Sequence, residues 1–263
     1  MKRIFALLLA LLMLCTMVAC SGKDDDKDDD TDLTVVTEHQ SITMGAYRDC
    51  FEYDIINGDE VAIVGFTSVY DKHAVEIPGM IDGCPVVMIA DGAFYQCSQL
   101  TGIKIPATVT EIGDMAFAGC VQLETVTFAN DGAVVKLTRI GDYAFAKCAA
   151  LEAIELPETL TSLGEAAFYQ CAALKSVLLP QGITEIKAMT FMSCAELVNV
   201  ICQANIVSVG DYAFSGCAKL AQFKPAAMTD LRTIGEYAFS GCVAITPIES
   251  TATLAVAPTA FLK

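Results

Sequence analysis

The chemistry this chain could offer lies first in its twelve cysteines. Cys97, Cys120, Cys148, Cys171, Cys194, Cys217 and Cys242 each follow a phenylalanine by three places, so seven thiols stand in one register. Such a series admits three chemistries. As metal ligands, cysteines one repeat apart would form a line, whereas a zinc site needs a tetrahedron of donors. As disulfides, neighbouring α-carbons would fall within reach, but parallel side chains keep their β-carbons about a strand spacing apart, wider than a disulfide prefers. Seven is also an odd number. As small buried hydrophobes the cysteines fit well, and that is the expectation. Cys50 and Cys84 lie outside the series and could pair with each other.

Asp91, Asp114, Asp142, Glu165, Asp211 and Glu236 form a second series. Calcium needs six or more oxygens around one point. A line of single carboxylates offers fewer, so helix capping is the better account. The two histidines are His39, in an expected linker, and His73, in an expected loop. A catalytic histidine needs an orienting partner and a nucleophile nearby. The chain holds no GxSxG, HExxH, CxxC or GxGxxG motif and no phosphate-binding GKS or GKT loop. No enzyme activity, metal site or cofactor is therefore expected.

A repeat sets both series, and it must be read before any site can be placed. Phe94, Phe117, Phe145, Phe168, Phe191, Phe214, Phe239 and Phe261 recur at intervals of 23, 28, 23, 23, 23, 25 and 22 residues. All follow an alanine except Phe191, which follows Thr190. Three places after each cysteine stands a large aliphatic residue, from Leu100 through Leu123, Leu151, Leu174, Leu197 and Leu220 to Ile245. Within one unit, Ile154 and Leu156 alternate with polar residues, which predicts a short strand with one buried face. Pro157 ends it, because proline cannot donate to a ladder. Leu160 and Leu163 turn inward from a second extended piece. Gly164 is expected to allow a sharp corner, and Glu165 to open a one-turn helix ending at Phe168. One such unit cannot bury its own apolar face, but stacked units can. Strands of successive rungs would then lie about 4.8 Å apart in one parallel sheet.

The unit resembles the LxxIxLPxxVTxIGxxAFxxC pattern of the BspA-like leucine-rich repeats, over residues 84–261. The resemblance implies an α/β repeat fold, a leucine-rich-repeat solenoid with a parallel sheet on its concave face and short helical turns opposite. It also implies a bacterial surface protein of the adhesin type. About seven repeats would fill residues 84–263, behind an N-terminal β cap over residues 46–83. In that cap residues 51–56 and 61–66 alternate as strands around Asn57-Gly58, a hairpin signal. Three departures stand out. Five extra residues surround Asn130-Asp131-Gly132-Ala133, Lys187 replaces the corner glycine of one unit, and the unit containing Cys202 has lost its proline.

The first residues carry an address. Lys2 and Arg3 precede a short apolar run over residues 4–18, so residues 1–19 read as an export signal. Met17-Val18-Ala19-Cys20 resembles the lipobox of bacterial lipoproteins, with Met where Leu is usual, and implies acylation of Cys20. Acyl chains contribute about 0.8 kcal/mol per buried methylene, so several anchor firmly. Residues 20–45 then form an Asp-rich linker, with seven aspartates between residues 24 and 32. An acidic run directly after the acylated cysteine resembles the tag that sends lipoproteins to the outer face in one group of Gram-negative anaerobes. The expected location is the outer membrane, surface-exposed.

A formal net charge of −16 repels phosphate backbones and argues against nucleic acid. It leaves the lipid anchor as the only membrane contact. The candidate ligand-binding residues are the outward strand positions Lys104, Thr127, Glu155, Leu178, Ile201 and Lys224, with Glu249 next in the series. Leu178 and Ile201 are apolar where the pattern asks for polar residues, which suggests a contact surface. The column contains no Trp, Tyr or Phe. That tilts the partner toward a protein, with glycan capture or a place in an outer-membrane complex as the alternative.

Overall fold

Apolar residues at alternate places along short strands force one face of each strand into a core, and the chain supplies this every 22 to 28 residues. The computed structural model describes residues 40–44, 49–68, 74–129, 132–248 and 253–262. Residues 37–263 belong to one compact unit. Two walls of parallel strands enclose the interior. One wall is a seven-stranded sheet made of Ala74–Glu76, Gly102–Ile105, Thr125–Phe128, Ala153–Ile154, Ser176–Leu179, Asn199–Cys202 and Gln222–Lys224. The other is built from two-residue strands at the second extended piece of each unit, such as Glu111–Ile112, Arg139–Ile140 and Ser162–Leu163. Register is kept from rung to rung, with Val177 opposite Val200 and Ile140 opposite Leu163. The chain is therefore a parallel-sheet solenoid, as the repeat predicted.

The interior is a ladder of rings. Phe117, Phe145, Phe168, Phe191 and Phe214 are fully buried and stack at centroid distances of 5.2 to 5.6 Å with interplanar angles of 2 to 6°. The distance exceeds the strand spacing of about 4.8 Å, so the rings are offset as their quadrupoles prefer.

The short helical turns expected at the corners do not form. Among the described residues the one helical element is a three-residue 3-10 turn, Met228–Asp230. The corner backbone enters the left-handed region twice per rung, as at Ala166 (φ 52°) and Gln170 (φ 59°). That turns alternate amides along the solenoid axis: Ala166, Phe168 and Gln170 donate to the carbonyls of Ala188, Thr190 and Met192 at 3.0, 2.9 and 2.8 Å. The opening amides of a helix have no partner within it, whereas here they are satisfied by the next rung. The rungs are thus hydrogen-bonded to each other at the corner as well as along both walls.

The corner glycines also serve differently from the expectation. Gly164 has no left-handed φ. A Cβ there would fall on the Gly141 carbonyl and 2.5 Å from the Asp142 nitrogen, so the need is for close approach of two backbones. Where Lys187 takes this place the short-strand wall is cut. Ser162–Leu163 ends one sheet, and Glu185–Ile186 begins a separate four-stranded one. Thr190, the residue that breaks the Ala-Phe series, donates its hydroxyl to the Lys187 carbonyl at 2.8 Å.

Ahead of the rungs, Asp49–Ile56 and Glu60–Ser68 pair antiparallel. They turn at Asn57 (φ 53°) and Gly58 (φ 91°). Glu60–Ser68 then pairs parallel with Cys84–Ile89, the first strand of the short-strand wall. A further strand, Gln40–Met44, pairs with Asp49–Ile56 and lies within the stretch read as linker. Residues 1–39, which hold the export signal, Cys20, the aspartate run and His39, lie outside the described residues, as do His73 and Glu249.

Candidate ligand-binding face

The outward column of the seven-stranded wall is aligned by backbone pairing. Lys104 stands opposite Thr127, and Leu178 opposite Ile201, which stands opposite Lys224. Glu155 shares the register, two places beyond Ala153, which pairs with Ser176. Leu178 and Ile201 are each 47% exposed, so the two aliphatic side chains form an adjacent patch in solvent. Glu76 belongs to the same column and sits opposite Lys104. Its carboxylate meets the Lys104 ammonium at 2.7 Å. Sequence reading missed Glu76 because its rung carries no Ala-Phe marker and lies ahead of the first recognised repeat.

A groove of about 1260 Å³ opens on this wall beside the aliphatic patch. Thr127 and Glu155 line it, together with Glu124, Glu152 and Glu158, and the segment with the five extra residues supplies Val134 and Val135 as a side wall. Val134 is 77% exposed. No Lys or Arg is among the lining residues. Glu152 is paired with Lys175 at 2.6 Å, and Glu158 accepts from the Gln203 amide at 3.0 Å. The insertion was visible in the sequence as a lengthened interval. Its place above the strand face was not, because spacing alone does not say over which wall a loop folds.

The cysteine series lies in the interior. Cys148, Cys171, Cys194 and Cys217 are free thiols with no exposed surface. Each donates to the carbonyl of a phenylalanine in the preceding rung, as Cys171 Sγ does to Phe145 at 3.1 Å and Cys194 Sγ to Phe168 at 3.1 Å. They are thus small core residues that also satisfy a buried carbonyl. Burial pushes the Cys148 and Cys194 thiols up to about 12, which keeps them protonated and unreactive. Cys84 is half-buried and free, and the side chain of Cys50 lies outside the described residues.

The carboxylate series does not cap helices. Asp91 Oδ1 accepts from the Asp114 amide at 2.7 Å, Asp114 from Asp142 at 2.8 Å, Asp142 from Glu165 at 2.7 Å, and Asp211 from Glu236 at 2.7 Å. Each aspartate therefore ties its corner to the next rung. Arg139 bridges Glu111 at 2.6 Å and Asp114 at 3.1 Å. Among the described residues, no three His, Cys, Asp or Glu side chains group as a metal site.

The model of the BspA type leucine-rich repeat region matches in six copies, over residues 87–220 and 138–262. Among solved structures, the chain is similar to the T. pallidum leucine-rich repeat protein, at 32% identity and TM-score 0.67, covering 74% of this chain and 88% of that one. It is similar to a leucine-rich cell surface protein from Faecalibacterium prausnitzii at 27% identity and TM-score 0.66, covering 79% and 53%. A leucine-rich-repeat protein from Bacteroides ovatus matches at 26% identity and TM-score 0.59, covering 78% and 59%. The chain thus spans somewhat over half the length of the latter two. No functionally curated protein matches.

Proposed function

We propose a binding function from one premise: the chain belongs to the BspA-type leucine-rich-repeat family. Proteins of this family are generally protein-interaction modules on bacterial surfaces, built on scaffolds that are typically non-catalytic. We read this chain as a non-enzymatic cell-surface lipoprotein that grips a macromolecular ligand, a protein of the host or of a neighbouring cell, on the outward face of its long-strand wall. The observation that carries this is the Leu178–Ile201 pair, two aliphatic side chains held in register and each 47% exposed on an otherwise polar sheet face. Water disfavours such a patch, and covering it stabilises a complex.

Replacing Leu178 and Ile201 together with Asp is expected to leave the melting temperature of the soluble domain unchanged and to weaken adhesion about tenfold or more. Adhesion is measured against a panel of immobilised extracellular matrix proteins by biolayer interferometry. Unchanged affinity for every protein the parent binds would remove this face from the function.

The glycan reading has one observation to draw on, the tyrosines at the corner edge, of which Tyr95 is 41% and Tyr212 37% exposed. These tyrosines stand at the corner, whereas the outward column of the long-strand wall carries no aromatic side chain for a sugar to stack on. The protein reading is preferred on that ground.

Attachment follows from Cys20, the proposed site of acylation in an outer-membrane, surface-exposed lipoprotein. Cys20→Ala should move the protein from the membrane pellet to the soluble fraction, and an unchanged pellet fraction would refute the anchor.

A further inference from the structure

We infer that the groove beside the aliphatic patch receives a cationic, extended segment of the partner protein, with a Lys or Arg lying against Glu124 and Glu155 and an aliphatic side chain two residues away lying on Leu178 and Ile201. The inference rests on the sheet-face reading above and names the chemistry of the ligand that face takes.

Charge and geometry support it together. Four carboxylates line a space of about 1260 Å³, with no basic residue among the lining. Two of the four have partners of their own, Glu152 with Lys175 and Glu158 with Gln203. Glu124 and Glu155 are exposed on the strand face. Lys104, in the same column, lies outside the groove lining and is paired with Glu76 at 2.7 Å. A side wall carrying Val134, 77% exposed, gives the methylene stem of a Lys or Arg an apolar surface to lie along. Partly enclosed carboxylates interact more strongly with a cation than carboxylates in open solvent.

The register sets the spacing. Glu155, Leu178 and Ile201 occupy one outward column on successive rungs. Rungs lie about 4.8 Å apart, so the middle of the Leu178–Ile201 pair is about 7 Å from the Glu155 position. An extended chain rises about 3.3 Å per residue and turns alternate side chains to the same face, which places the aliphatic side chain two residues from the cation.

The test uses the folded chain and three fluorescein-tagged peptides, read by fluorescence anisotropy. One carries paired lysines and paired leucines at this spacing, the second has the same composition with the spacing doubled, and the third replaces lysine with glutamate. The first peptide is expected to bind, to weaken about tenfold in the Glu124→Gln/Glu155→Gln variant, and to weaken as salt is raised. The doubled spacing should bind less tightly, and the glutamate peptide not measurably. Absence of binding by the first peptide at low salt, equal binding by the glutamate peptide, or unchanged binding by the double-Gln variant would each overturn the inference. The same variant is run against the matrix-protein panel. A matrix protein lost with Leu178→Asp/Ile201→Asp yet held at parental affinity by Glu124→Gln/Glu155→Gln would leave the sheet-face reading standing and the cationic segment refuted.

Discussion

Phe168→Ala is expected to destabilise the solenoid by about 3–5 kcal/mol, the range for deleting a fully buried aromatic ring. Phe168 has no exposed surface and stacks between Phe145 and Phe191 at 5.6 Å on both sides. Its loss removes a ring contact from two rungs at once and leaves a cavity that the rigid backbone ladders on either side resist closing. In a repeat protein each rung is stabilised by its neighbours, so a central defect uncouples the two halves. Urea denaturation should show an earlier and broader transition. Phe261→Ala is the comparison, because Phe261 stacks on Phe239 at 5.0 Å and is only partly buried. Its effect should be well under half as large. Equal effects at the two positions would refute a core in which rungs support each other from both sides.

Gly164→Ala should also destabilise, by about 1–3 kcal/mol or more, the cost of overpacking a site with nowhere to expand. Ala in place of Gly otherwise stabilises by about 0.4–1 kcal/mol through the unfolded chain, so the sign alone is informative. The new Cβ would press on the Gly141 carbonyl and the Asp142 nitrogen, which are backbone atoms that cannot rotate away. It would also crowd the bond from the Glu165 amide to Asp142 Oδ1 at 2.7 Å. The chain already contains the corresponding substitution at Lys187, where the short-strand wall is interrupted. Thermal melting gives the sign, and amide exchange should report lost protection at Gly141 and Glu165. A raised melting temperature would show that the close approach is not limiting.

The repeat, the buried ring and thiol ladders and the outward column were legible because each is written as a residue type recurring at one spacing. The corner was misread because Glu165-Ala166-Ala167-Phe168 has the composition of a short capped helix. Its backbone is decided by left-handed φ angles at Ala166 and Gln170, and neither residue type announces that conformation. Gly164 was read as a bend for a related reason. A glycine in sequence does not say whether it serves its own φ or the backbone of a neighbouring rung. The acidic groove depends on where the segment around Val134 folds, a tertiary fact beyond the reach of periodicity. Glu76 escaped notice because its rung lacks the marker that aligned the others.

The cut in the short-strand wall at Lys187 has a mechanical consequence. The long-strand wall and the phenylalanine column run uninterrupted past this point, while the opposite wall is in two pieces. A beam notched on one side is most compliant there and bends by opening the notch. Under load at a cell surface, the two rungs that meet between Leu163 and Glu185 would give first at that edge, held together by the corner bonds from Ala166, Phe168 and Gln170 and by the long-strand wall that carries the Leu178–Ile201 patch.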